Sequence, residues 1–316
     1  MDALDFRPML AAHVSDTEDI RFPSVASPKL DGVRCRVIDG KPISRSGKVL
    51  PNQFLQSWAA KFAKSLEGLD GELIIGLPYG PNVYRRTLSG ISSHTGKPDF
   101  TYWVFDLLQA DEQTEFVTRN TNAMQRVEKL QRLSRTGRTF WLGQTWINSQ
   151  RELVNYESDC IRKGFEGVML RDPEGAYKHG RSTLGEQGLV ALKRYMDSEA
   201  IIVGIEEQLR NDNVPYTNEL GYTKRRTLQA HKIPKGVMGK IRCRTLHTLK
   251  VDNEYLPPGT EFRIGTGFSE RERQEMWNNQ EDFLGKVIRF RYLPFGSFQK
   301  PRSTSFLGMR LEEDQD

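Results

Sequence analysis

Cysteine is scarce in this chain of 316 residues: Cys35, Cys160 and Cys243 are far apart and odd in number. Neither a disulfide framework nor a CxxC metal site can be read from them. The five histidines are scattered without ligand spacing. No segment approaches the roughly 20 consecutive apolar residues of a membrane span. The opening "MDALDFRPML" has acids where a signal peptide has a basic region. No internal repeat or low-complexity block stands out. These absences argue against a disulfide-stapled secreted domain, a zinc module, a membrane protein and a repeat array. A cytoplasmic, non-secreted protein is expected.

What is present is a globular composition. Hydrophobic residues make up 37% of the chain, and 5 Trp, 10 Tyr and 16 Phe are enough to build a core. The net charge of +5 is compatible with a polyanionic partner. The chain is long enough for two ordinary domains.

The first part mixes helices and strands. "VRCRV" alternates Val33, Cys35 and Val37 with Arg34 and Arg36, which predicts a strand with one basic face. "NQFLQSWAAKFAKSL" has helical spacing with Asn52 as its cap, and Ser149 with Glu152 forms a capping box for a helix ending at Gly164. "GELIIG", "TYWVFDLL", "EGVML" and "GLVALKRY" read as strands. From about Ile201 the texture changes to short strands separated by Gly or Pro, with one helix after a second capping box at Ser269 and Glu272. That pattern fits a small barrel. Within it, residues 220–251 carry nine Lys/Arg and no acid, the composition of a surface for phosphate backbones.

One short stretch, "SPKLDGVRCR", suggests chemistry. Lysine is a nucleophile only as the neutral amine, a state that desolvation or neighbouring positive charge favours. Arg34 and Arg36 could supply that charge to Lys29, Asp31 could orient the turn, and Gly32 would let the backbone bend. Alone, "KLDG" reads most simply as a surface turn. Glu72 in "LDGELIIG", Glu166 in "FEGVMLRD", Lys193 in "ALKRY", and Arg45 and Lys48 in "SRSGK" each read alone as surface charge, but together they change the reading.

In this order they resemble the covalent nucleotidyltransferases: ATP-dependent DNA ligases, RNA ligases and mRNA capping enzymes. Residues 29–34 look like that superfamily's motif I, 44–48 like Ia, 70–72 like III, 102–106 like IIIa, 166–171 like IV, and 192–193 like V. "RPMLAA", "GFEGVMLRDPEG", "YKHGRSTL", "DSEAII", "IGTGF" and "SFLGMRLEED" extend the resemblance along the whole chain, to the minimal two-domain DNA ligases of viruses and bacteriophages. The early position of Lys29 argues for ATP over NAD.

The resemblance implies an α+β fold: an adenylation (nucleotidyltransferase) domain over residues 1–198, with antiparallel sheets and flanking helices, then an OB-fold β-barrel over 199–316. A latch-like insert at about 208–238 would close around DNA. The implied activity seals nicks between a 5′-phosphate and a 3′-hydroxyl, using ATP and Mg²⁺ or Mn²⁺, through AMP on Lys29 and then on the DNA. Lys29, Arg34, Glu72, Glu166 and Lys193 would be catalytic. Lys193 would neutralise the α-phosphate, Arg34 and Glu72 would hold the ribose, and Glu166, with Glu72, would hold the metal. Ser27, Pro28, Leu88 and Phe105 would contact adenine, and Arg310 the pyrophosphate. Arg45, Lys48, Lys224, Arg225, Arg226, Lys232 and Lys235 would bind nicked duplex DNA, and a monomer is expected. A capping guanylyltransferase, an RNA ligase and a catalytically inactive nick-binding protein are the alternatives. Two positions depart from the pattern. Ala191 stands where motif V usually has a first lysine, with Arg194 as a candidate to compensate. Arg310 is followed by "LEEDQD", in which Asp314 is present but the final basic residue is missing.

Overall fold

The computed structural model describes residues 8–108, 111–133, 137–212, 232–251, 254–294 and 299–310, with backbone alone at 215–217 and 223–225. It divides into two compact units, Met1–Arg194 and Tyr195–Asp316. The division falls before the boundary expected at residue 198, because the strand that crosses that point begins at Met196 and pairs with the second unit, Met196 against Tyr292.

In chain order the first unit contains β1 (Met9–Leu10), β2 (Ala12–Val14), β3 (Ser24–Pro28), β4 (Val33–Ile38) and β5 (Lys41–Ser44). These are followed by α1 (Gln53–Lys61), α2 (Ala63–Leu66), β6 (Leu69–Ile75), α3 (Val83–Ser92) and β7 (Phe100–Leu107). Then come α4 (Phe116–Leu133), β8 (Thr139–Trp141), β9 (Thr145–Ile147), α5 (Gln150–Lys163), β10 (Val168–Arg171), β11 (Gly180–Arg181) and β12 (Leu189–Leu192). Two five-stranded sheets result, ordered β2-β12-β10-β3-β9 and β5-β4-β6-β7-β8. Most pairings are antiparallel; β12–β2, β7–β8 and the small β1–β11 pair are parallel.

Helical periodicity decides what covers the second of these sheets. Leu55, Trp58 and Ala59 of α1, and Ala123, Val127 and Leu130 of α4, recur at three- and four-residue spacing and join the core cluster of Tyr102, Val104 and Leu107. Asn52 caps α1 as its side chain suggests, accepting from the Leu55 N–H at 2.9 Å. The expected single helix is broken at Phe62 into α1 and α2. On α5, Leu153 and Cys160 pack under the first sheet with Val14, Ala26, Val168, Val190 and Leu192. Ser149 accepts from the Glu152 N–H at 3.3 Å, but the Glu152 carboxylate reaches back to the Asn148 N–H at 2.8 Å, so the reciprocal half of the expected box shifts by one residue.

The "basic face" of β4 is not a surface. Arg36 is 1% exposed and Arg34 is engaged inside the unit. Period-two alternation reports two faces of a strand; it does not say that a second layer covers the polar one.

The second unit contains β13 (Met196–Asn211), β14 (Pro215–Thr217), β15 (Thr223–Arg225), β16 (Lys232–Thr245), β17 (Leu249–Val251), β18 (Glu254–Leu256), β19 (Glu261–Ile264), α6 (Glu270–Asn278), α7 (Gln280–Phe283), β20 (Val287–Leu293) and β21 (Arg302–Met309). Its sheet, β19-β16-β13-β20-β21, is antiparallel throughout. The sheet curls until its two edges meet: the Phe306 N–H donates to Thr266 O at 2.9 Å and the Thr304 hydroxyl to Arg263 O at 3.0 Å. Ala200, Ile202, Ile241, Cys243, Phe262, Ile264, Ile288 and Phe290 fill the interior, and the Ser269–Glu272 box opens α6. Beyond this sheet β13 and β16 continue as a two-stranded ribbon, pairing Leu209 with Pro234, Arg210 with Ile233 and Asn211 with Lys232, and β14 pairs with β15. This ribbon lies within the latch-like insert expected at 208–238.

Candidate active site

Three neighbouring strands of the first sheet bring the chemistry together. Lys29 follows the end of β3, Glu166 and Gly167 precede β10, and Lys193 follows β12. Backbone bonds fix the ends: the Lys29 N–H donates to Gly167 O at 2.9 Å and the Lys193 N–H to Val14 O at 3.1 Å. Residues 137 positions apart in sequence therefore meet, and the Lys29 ammonium donates to one oxygen of the Glu166 carboxylate. Lys193 donates to the other at 2.5 Å. Glu166 is 4% exposed. Burial works against its charged form, yet Lys29 and Lys193 outweigh burial and hold the carboxyl at about 2. The expected partners of Lys29, Arg34 and Arg36, are thus replaced by a carboxylate.

Gly32 is needed for a reason other than a bend. A Cβ there would stand 2.3 Å from Leu73 O and 2.4 Å from Ile74 Cδ1, so β4 and β6 could not approach as they do. Gly167 is equally tight, with a Cβ position 2.3 Å from Leu192 O. Both glycines let backbones close around the lysine.

The second sheet supplies an aromatic platform. Across β6–β7, Asp70 pairs with Asp106 and Gly71 with Val104, which leaves Phe105 as the extra residue of a bulge. A bulge re-aims a side chain, and the Arg34 guanidinium lies 5.2 Å from the Phe105 ring centre, with that of Arg171 at 5.8 Å. Phe105 packs against Leu30, Ile74, Val83 and Leu142. Leu88, on α3, is 38% exposed.

Two fully buried aspartates hold this platform from beneath. Asp70 accepts from Arg34 Nε at 2.9 Å and Nη2 at 2.6 Å, and from the Tyr177 hydroxyl at 2.8 Å. The third nitrogen of Arg34 donates to Met9 O at 2.8 Å. Burial opposes the Asp70 anion, but Arg34 prevails and holds its carboxyl below the usual range. Asp106 accepts from Arg119 at 2.9 Å and pairs with Arg171 at 2.8 Å. Arg119 and Tyr177 had no role in the sequence reading. Their only signal was membership of quoted or neighbouring stretches, since Tyr177 lies 107 residues from Asp70.

Glu72 faces Arg34 across the β4–β6 pair. Burial raises its carboxyl to about 7, against the lowering pull of Lys29 and Arg34. The sign follows directly. Between pH 4.5 and about 7 the folded chain holds a proton on Glu72 that the unfolded chain has lost, so its contribution to stability falls as pH rises through that window. Glu72→Gln should flatten that part of a melting-temperature profile measured from pH 4.5 to 8; an unchanged slope would contradict the assignment.

The remaining sequence candidates are spread more widely. Ser27 is buried and Pro28 ends β3 beside Val168. Arg45 and Lys48 are exposed on the turn closed by the Ser44 N–H to Lys48 O bond at 2.7 Å. Lys232 and Lys235 lie on the ribbon of the second unit, with Lys235 exposed. Lys224 and Arg225 are on β15, where backbone alone is described, and Arg226 and Asp314 lie outside the described residues. Arg310 belongs to the second unit, where its Nε donates to Glu199. Arg194, the candidate to compensate for Ala191, is engaged away from it: it makes two 2.8 Å bonds to Glu157 and a third, at 2.9 Å, to Ser15 O. No helix among the described residues is long and apolar enough to cross a membrane.

A family model described as the ATP dependent DNA ligase domain matches residues 8–185, and one described as the DNA ligase OB-like domain matches residues 232–310. The chain belongs to the ATP-dependent DNA ligases. Its two units are the nucleotidyltransferase and OB-fold domains of that family. Among solved structures, the Chlorella virus DNA ligase-adenylate is 30% identical over 96% of this chain and 99% of its own, with a TM-score of 0.53. A Lig E DNA ligase, described in a study of DNA binding with a minimal scaffold, is 24% identical over 96% and 99% with a TM-score of 0.67, and supports the fold. The ATP-dependent DNA ligase of bacteriophage T7, in complex with ATP, has the same fold at 14% identity over 97% and 99% of the two chains, with a TM-score of 0.50. No curated protein matches the chain.

Proposed function

We propose that the chain seals 5′-phosphate/3′-hydroxyl nicks in duplex DNA, with Lys29 as the residue that carries AMP. The observation that carries this reading is the convergence of Lys29, Glu166 and Lys193 at one sheet end. Lys29 Nζ, as the neutral amine, attacks the α-phosphorus of ATP. An N–P bond forms, the nitrogen gives up a proton to solvent, the bond to the bridging oxygen breaks, and pyrophosphate leaves with the electron pair. A 5′-phosphate oxygen at the nick then attacks the same phosphorus, forming a phosphoanhydride and breaking the N–P bond as the lysine nitrogen regains a proton and leaves as the amine. Finally the 3′-hydroxyl, losing its proton, attacks the 5′-phosphorus and AMP departs.

Each step is phosphoryl transfer, in which positioning and charge neutralisation do most of the catalysis. Glu166 orients both ammonium groups before ATP arrives. Once Lys29 turns to phosphorus, Lys193 is the cation left to face the α-phosphate. Phe105 offers its ring to adenine, with Ser27, Pro28 and Leu88 as further base contacts. Arg34, whose nitrogens are taken by Asp70 and Met9 O, serves by holding Phe105 and Asp70 in place, leaving Glu72 to meet the ribose. Among the described residues no three His, Cys, Asp or Glu cluster as a metal cage. A site with one or two carboxylates beside a phosphate suits an ion that keeps its waters and arrives with the nucleotide. Glu166, with Glu72, would hold such a Mg²⁺ or Mn²⁺, which would supply charge neutralisation on the leaving phosphates.

DNA would be gripped by Arg45 and Lys48 and by the basic ribbon, acting as a latch, with Arg310 oriented to pyrophosphate in the first step. The expected form is a monomer inside the cell, where ATP and DNA are. Deleting residues 212–231 should weaken binding to nicked duplex about 10- to 100-fold, by removing several phosphate contacts, while lysine adenylation stays near the parent rate. Equal loss of both in gel-shift and labelling assays would contradict the latch.

The deciding test incubates the protein with Mg²⁺ and ATP or GTP labelled at the α-phosphate, then denatures it. Label from ATP, chased by nicked 5′-phosphorylated DNA, is the expected result. Label from GTP would indicate a capping enzyme, a chase by RNA alone would indicate an RNA ligase, and no label with nick binding intact would indicate an inactive binder.

A further inference from the structure

Ala191 leaves one position of the site's sheet face without a cation, and the register shows what stands beside it. Four residues form a row across β3, β10, β12 and β2: Ser27 pairs with Met169, Met169 with Ala191, and Ala191 with His13. Side chains in register on adjacent strands point to one side of a sheet. The next row on that side is formed where Lys29 bonds to Gly167 and Lys193 follows Ala191 by two residues. The flanking residues of β2, Ala12 and Val14, point the other way and are buried. His13 is exposed on the site's side, one strand beyond the Ala191–Lys193 edge.

The order of groups across the sheet is therefore Lys29, Lys193, His13. In-line displacement puts the leaving pyrophosphate opposite the attacking Lys29 nitrogen, so with the α-phosphate between Lys29 and Lys193 the outer phosphates would point away from β3, toward β2. We propose that His13 binds the outer phosphates of ATP and so takes part in the first step alone. This rests on the function proposed above.

The surroundings of the ring agree with an anion site. Lys193 from the end of β12, Arg181 from β11 and Lys29 from the end of β3 all direct positive charge at it, with Glu166 as the opposing carboxylate. Partial desolvation of the ring first, and then those three cations, hold the imidazole below its usual value. An arriving polyanion reverses that balance, so the ring donates from both nitrogens when ATP is bound.

The test compares His13→Ala, His13→Gln and His13→Lys with the parent protein. His13→Ala should raise the ATP concentration for half-maximal labelling of Lys29 by about tenfold, the size of one lost charge-assisted hydrogen bond. Label at saturating ATP should be retained. His13→Lys should restore the parent ATP dependence and make it flat between pH 6 and 7.5, and His13→Gln should fall between the two. Sealing of a nick that already carries AMP, which involves no outer phosphates, should be unchanged in all three. Identical ATP dependence in His13→Ala and parent would overturn the proposal, as would equal loss of pre-adenylated sealing. Neither result would touch the role of Lys29, whose own failure would show as absent label in the parent.

Discussion

Lys29→Ala is expected to abolish covalent labelling by ATP and to lower nick sealing by about 10⁴-fold or more, the scale on which losing a covalent nucleophile is felt. The same variant should bind nicked duplex within a few-fold of the parent. It should also still seal a nick that already carries AMP, because that step uses the 3′-hydroxyl and not the lysine. Folding should survive: Lys29 is partly exposed, and Glu166 keeps its 2.5 Å bond to Lys193 when Lys29 is removed. Lys29→Arg provides a second arm, since a guanidinium keeps the charge and the bond to Glu166 but cannot act as the nucleophile. If Lys29→Arg were labelled, or Lys29→Ala sealed ordinary nicks, another group would have to carry AMP.

This prediction was legible in the sequence because the chemistry is concentrated in short motifs whose order survives folding. Lys29, Glu166 and Lys193 could be named from their neighbours, and the strands "EGVML" and "GLVALKRY" place them at strand ends. What could not be read was which ends adjoin. The β10 strand pairs with β3 on one side and β12 on the other, and only that arrangement makes Glu166 the common partner of both lysines.

The misreadings share a physical cause. Arg34 and Arg36 read as one basic face of a strand, and alternation is blind to the layer that covers it. Gly32 looked like a place for the backbone to bend because the sequence does not show that Leu73 O lies against it. Arg194 looked like a substitute for a missing lysine, but Glu157, 37 residues earlier, takes its guanidinium. His13 was overlooked because a parallel register with Ala191 spans nearly the whole first unit. In each case the deciding partner is distant in sequence, and local pattern carries no information about it.

The distant partners that matter most for stability surround Asp106, and its replacement should have the largest effect on the fold. Asp106 is 0% exposed, and Arg119 is 1% exposed. One carboxylate therefore serves two guanidinium groups, Arg119 at 2.9 Å and Arg171 at 2.8 Å. Removing one partner of a buried pair leaves an uncompensated charge, at a cost of about 3–5 kcal/mol. Asp106→Ala strands two such charges, so its cost should lie at the upper end of that range. The thermal midpoint of the first unit should drop by about 10 °C or more. Replacing Arg119 alone should cost less, because Arg171 still neutralises Asp106. The damage should also reach the site, since Arg171 lies over both Phe105 and Phe116. Surviving Asp106→Ala protein should need more ATP for labelling, with its binding to nicked DNA less affected. A melting temperature within 2 °C or so of the parent would mean that water or a shifted side chain neutralises the two arginines, and Asp106 would then lose its place as the anchor of the aromatic platform.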